Sequence, residues 1–141
     1  MSRTKIMLAT LALGATVVLA GPAFADKMKV TLDSKSEVPP NTSAATGTAD
    51  VDYDAASKKL TWKLTYSGLS GPATAAHFHG PAEAGKNAGV KVPIPNATSS
   101  PAEGSATLTD EQAADLTAGK YYINVHTAAN PGGEIRGQVT K

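Results

Sequence analysis

The clearest pattern in the chain is a period of two. From Lys59 to Ser67, the apolar Leu60, Trp62, Leu64 and Tyr66 alternate with Lys59, Thr61, Lys63 and Thr65. A strand with one buried and one wetted face has that alternation. Shorter stretches predict further strands at Lys29–Leu32, Thr46–Tyr53, Ala73–His79, Glu103–Leu108, Lys120–Thr127 and Glu134–Thr140. Turn-forming segments separate them, among them Glu37-Val38-Pro39-Pro40-Asn41, Asp54-Ala55-Ala56-Ser57 and Ala128-Ala129-Asn130-Pro131-Gly132-Gly133. The segment after Gly80-Pro81, rich in Gly, Pro and Asn and including Val92-Pro93-Ile94-Pro95, reads as loop. Thr109-Asp110-Glu111-Gln112 has capping-box spacing and predicts a short helix over Asp110–Ala118, ending before Gly119. Many short strands with frequent turns predict an all-β fold, an antiparallel Greek-key-like β-sandwich or barrel with one short helix.

The N-terminus follows a different pattern. Arg3 and Lys5 precede an uncharged apolar run from Ile6 to Ala20, Gly21-Pro22 breaks it, and Ala23-Phe24-Ala25 is a small-x-small site. A basic segment, an apolar segment and a cleavage site in that order predict a bacterial-type signal peptide over residues 1–25, cleaved after Ala25. The apolar run is short for a bilayer span. The expected location is therefore the periplasm or the medium, with no membrane attachment after cleavage. The mature chain, residues 26–141, has the length of one domain.

Composition narrows the chemistry. Loss of Arg3 and Lys5 with the signal leaves 11 basic against 12 acidic side chains, so the mature domain is close to neutral. No basic stripe or aromatic platform points to nucleic acid. The chain has no cysteine, which excludes a disulfide framework and any thiolate metal site. A metal site here has to rely on imidazoles and carboxylates.

The chain has three histidines. His77 and His79 stand two apart on one predicted strand, so both leave on the same face, while Ala76 and Phe78 take the other. In Lys120–Thr127 the apolar set is Tyr121, Ile123 and Val125, which puts His126 on the opposite face with Tyr122 and Asn124. In the last strand Ile135, Gly137 and Val139 leave Glu134, Arg136 and Gln138 on the polar side. All three histidines and Arg136 thus belong to faces away from the apolar core. Two imidazoles from one strand and a third from another can form a three-nitrogen site with an open position. Such ligands suit copper, zinc, iron or nickel. The same spacing also fits histidines on a solvated face without a ligand.

Other signatures are weak. Ser67-Gly68-Leu69-Ser70-Gly71 misses the Gly-x-Ser-x-Gly register, so Ser70 reads as a turn residue. Neither a Walker A loop nor a GxGxxG motif is present. Asp110 and Glu111 suit a helix N-terminus.

Four segments in order resemble the CHRD domain, named for repeats in the animal protein chordin. They are Ser36-Glu37-Val38-Pro39-Pro40, Ala75-Ala76-His77-Phe78-His79-Gly80-Pro81-Ala82, Gly119–Thr127 and Asn130–Gln138. The resemblance runs from about Lys29 to Lys141 and implies an extracellular β-rich domain over 26–141, without stating an activity. Locally, His77-Phe78-His79-Gly80 is similar to the His-x-His strand of copper,zinc superoxide dismutases, which supplies two copper ligands. His126 resembles a later copper ligand of that family, and Arg136 resembles the arginine that guides superoxide to copper. The chain has no further histidine for the bridging ligand, no zinc-site cluster and no cysteine pair.

These resemblances imply a zinc-free copper site of His77, His79 and His126, with Arg136 as the anion-attracting catalytic residue and superoxide as substrate. Glu134 or Asn124 is expected to orient a ligand from behind. Two other functions fit the same residues. One is a periplasmic module that holds copper or zinc without turnover, and the other is an extracellular interaction domain with the histidines on its surface.

Overall fold

The structure is a computed structural model that describes residues 25–141. The expected signal peptide lies, but for Ala25, outside the described residues. The described chain forms β1 (Asp26–Asp33), β2 (Thr46–Asp54), β3 (Lys59–Ser67), β4 (Ala73–His79), β5 (Val90–Pro93), β6 (Ala102–Thr107), α1 (Asp110–Thr117), β7 (Tyr121–Thr127) and β8 (Ile135–Val139). The strands make one antiparallel sheet in the order β5-β4-β7-β8-β1-β2-β3-β6, rolled almost into a barrel.

Alternation explains why the sheet rolls. Met28, Val30 and Leu32 of β1, Ala49, Val51 and Tyr53 of β2, and Leu60, Trp62 and Leu64 of β3 all point inward and are buried. From the other half come Ala76 and Phe78 of β4, Tyr121, Ile123 and Val125 of β7, and Ile135 and Val139 of β8. These two apolar faces are far apart in strand order and can be removed from water only by facing each other. Trp62 of β3 meets Phe78 of β4 edge-to-face, with ring centroids 5.2 Å apart. That contact joins strands near opposite edges of the sheet.

The seam between the halves is narrow. β8 pairs with β1 at Asp33 and Arg136, and the approach there is close. A Cβ on Gly137 would sit 2.7 Å from Val30 Cγ1 and against the Thr31 carbonyl. Glycine at this position lets two backbones come together.

The predicted helix is present, with Thr109 as its N-cap. The Thr109 hydroxyl accepts from Gln112 N at 3.2 Å, and Thr109 N donates to Gln112 Oε1 at 3.0 Å. Leu116 seats the helix on the core.

One segment departs from the expectation. Val90–Pro93, read as loop, is strand β5 and pairs with His77–His79 of β4. Of its residues only Val92 is buried, so its own pattern is too short to signal a strand, and pairing to β4 decides it.

Candidate metal centre

β4, β7 and β8 are neighbours, and their register sets the site. His77 stands opposite Asn124, which stands opposite Arg136. His79 stands opposite Tyr122, and His126 opposite Ala75. His126 is thus a diagonal neighbour of His77 on the same face, within reach of a long side chain. β7 is buried on this face as well as on its core face. The loop between β4 and β5 and the turn after β1 close over it: Asn87 Nδ2 donates to Val38 O, Gln138 Nε2 to Ala82 O, and Asn41 Nδ2 to Glu134 O.

The three rings meet. His77 Nδ1 lies 3.1 Å from His126 Nε2, and one ligand nitrogen from each of His77, His79 and His126 falls within 4.8 Å of the others. Two of the rings are held from behind by backbone carbonyls. His79 Nδ1 donates to Ala88 O at 2.9 Å, and His126 Nδ1 donates to Pro131 O at 2.8 Å. A proton on Nδ1 leaves the lone pair on Nε2, so both carbonyls turn their rings into ligands that point at the cluster.

His79 Nε2 is buried and has no hydrogen-bond partner among the described residues. An orphaned acceptor of this kind is costly unless something occupies it. Desolvation by burial holds the His79 pKa below the usual imidazole range, against the raising effect of its bond to Ala88. Burial also lowers His77, reinforced by His126 and His79. Neutral imidazoles are the ligand form.

The residues therefore fit a metal ion. Two nitrogens bonded at about 2.0–2.1 Å to one ion, and 3.1 Å apart, subtend about 100°. That angle lies between square-planar and tetrahedral values. Without an ion, His77 Nδ1–H can donate to His126 Nε2 instead.

Tyr122 was marked in the sequence only by its parity. Its ring stacks on His79 with centroids 4.9 Å apart and planes 1° from parallel. Its hydroxyl donates to Ala88 O and accepts from Ala88 N, both at 3.1 Å. The carbonyls of Ala88 and Pro131 carry no sequence signal at all, because any residue supplies one.

The remaining expected residues are placed differently. Arg136 is on the predicted face but is 2% exposed. Its guanidinium lies 3.4 Å above the Tyr122 ring and donates to Asn87 Oδ1 and Lys86 O. Tyr122 belongs to the strand between Arg136 and His79. Asn124 lies beside His79 and donates to Gly132 O at 3.2 Å. Glu134 does not orient a histidine. Its buried carboxylate accepts from Ser70 N at 3.0 Å, from the Ser70 hydroxyl and from Asn130 Nδ2 at 2.9 Å. It reaches the site at one remove, by fixing the loop that carries the Pro131 carbonyl.

The CHRD domain family model matches residues 28–139. The chain belongs to the CHRD domain family. No curated protein and no solved structure gives a significant match. The CHRD match takes in seven strands whole and β1 from Met28, so β4, β7 and the three histidines lie inside the domain and not in an appended segment. It also takes in Glu37, which is 4% exposed and whose carboxyl packs near Gly133 and Asn124. Gly133 has φ +128°, and a Cβ there would fall 2.6 Å from Asn124 Nδ2. Burial pushes the Glu37 carboxyl up to about 7, against the lowering influence of Arg136 and of the neighbouring Asn124 amide.

Proposed function

We propose that this CHRD domain binds one transition-metal ion through His77 Nδ1, His79 Nε2 and His126 Nε2, and that the ion is copper. The observation that carries this reading is the convergence of three imidazole nitrogens within 4.8 Å, two of them aimed by carbonyl-bound rings. Copper is favoured over zinc because an all-nitrogen site follows the general order of divalent affinities, in which copper stands highest. Zinc is the alternative occupant. The basic, apolar and small-x-small order of residues 1–25 supports a periplasmic or secreted location.

Metal content tests the reading. Purified protein loaded with copper is expected to hold one ion per chain, and His77→Ala and His126→Ala to hold none. Equal metal content in those variants would overturn it.

A second, finer reading is a copper-dependent superoxide dismutase. His77 and His126 are only half buried, which gives a small anion a route to the cluster. Bound copper would supply one-electron redox chemistry there. Arg136 does not face that route, so its contribution to attracting an anion is electrostatic and acts through the domain. Superoxide consumption above free-copper controls, lost in His126→Ala, supports the enzyme. No consumption by copper-loaded protein leaves a binding module.

A further inference from the structure

Arg136 carries a buried charge that makes no ion pair among the described residues, although it acts through space on the Glu37 carboxyl. The side chain is 2% exposed, and among the described residues no carboxylate oxygen lies within the 4.0 Å of an ion pair. A guanidinium has five N–H donors. Its two hydrogen bonds among the described residues run to neutral acceptors, Asn87 Oδ1 at 2.9 Å and the Lys86 carbonyl. Buried charges are ordinarily paired, because an unpaired one forfeits its hydration without return.

Arg136 also borders a cavity. A space of about 210 Å³ is lined by Arg136, Lys35, Ser36, Glu37, Gly85 and Gln138 among others. Lys35, also in the lining, is exposed, so the cavity has one buried cation and one solvent-exposed cation in its wall. Glu37 is the one acid in the lining. Burial raises its pKa to about 7, so it opposes an incoming anion less than an ordinary carboxylate would.

We propose that this cavity binds a small oxyanion, a carboxylate or phosphate group, paired to Arg136 with Lys35 as the exposed cation of the wall. The volume falls below the roughly 300–1,000 Å³ of pockets for drug-sized ligands, which limits the occupant to a few heavy atoms. The planar fork of arginine suits such a group. The site is separate from the histidine cluster, with Tyr122 on the intervening strand.

Amide and arginine side-chain NMR spectra of the metal-stripped protein test this. The probes are sodium acetate and sodium phosphate, titrated at ionic strength held constant with chloride. Saturable shifts are expected at the Arg136 Nε–H and at the amides of Ser36, Glu37 and Gly85. Saturation by acetate alone assigns an organic carboxylate, and saturation by phosphate alone assigns a phosphate. Lys35→Ala, a change at an exposed position, is expected to weaken binding about two- to fivefold. Glu37→Gln is expected to tighten it, and Arg136→Gln to abolish it. The His77→Ala protein should give the same saturation. Shifts that fail to saturate with either anion would overturn the proposal, as would saturation that vanishes in His77→Ala.

Discussion

His79 and Tyr122 stack face to face, 4.9 Å between centroids and 1° between planes, and both bind the same carbonyl, that of Ala88. The metal-site candidate and the loop over it therefore share a fixed point. The Arg136 guanidinium adds to the assembly by resting on the same tyrosine ring.

Tyr122 is predicted to hold the loop and the ring together. Tyr122→Phe removes the hydroxyl bonds to Ala88 and should cost about 1 kcal/mol of stability. Tyr122→Ala also removes the stacked ring and should cost about 3–5 kcal/mol. Urea unfolding of the two variants measures the difference.

Glu134 is predicted to act on the metal through the loop. Glu134→Gln weakens the grip on Ser70 and Asn130, so the Pro131 carbonyl behind His126 loses its fixed place. Copper affinity should fall about tenfold, the usual scale for a ligand's supporting partners. Competition with a chromogenic chelator gives the number. Unchanged affinity would detach Glu134 from the site.

Two sets of groups set opposite pH trends in the metal-free domain. His77 and His79 have lowered pKa values in the fold, so the unfolded chain takes up protons first as pH falls through the ordinary imidazole value of 6.5. Their contribution is intact above that pH and is lost on acidification. Glu37 is raised from 4.5 to about 7, so its contribution is intact below 4.5 and is lost as pH rises through 7. Relative to Glu37→Gln, the wild type should lose up to about 3 kcal/mol between pH 4.5 and pH 8. Relative to His79→Gln, the wild type should lose stability as pH falls below 6.5. Urea midpoints measured with chelator present, and compared variant by variant, separate the two trends.

Gly137 is predicted to be intolerant. Gly137→Ala drives a methyl into Val30 Cγ1 and the Thr31 carbonyl, a backbone contact that cannot rotate away. The expected cost is about 1–3 kcal/mol, read as a lower thermal midpoint. Gly132→Ala, where the Cβ meets open space, serves as the control.

The fold was largely legible because the barrel obeys a two-residue period. Leu60, Trp62 and Leu64 were identified as core by alternation alone and are 0–3% exposed. Val90–Pro93 reads as loop in the sequence because a strand this short has no pattern of its own and is made by pairing with β4. The site was legible in part, since parity placed His77, His79, His126 and Arg136 on one face. Parity could not say that the face is covered, so the burial of Arg136, Asn124 and Glu37 was out of its reach.

By itself the sequence determined the all-β class, the strand faces, the capped helix and a donor set without thiolates, because each follows from local periodicity or from residue type. The tertiary structure alone decided that the distant His126 converges on His77 and His79, that the Ala88 and Pro131 carbonyls set which nitrogens face inward, and that Arg136 lies under a loop with no ion pair among the described residues. Those outcomes depend on strand register and loop closure. Both are set by contacts between residues far apart in the chain, which no local pattern records.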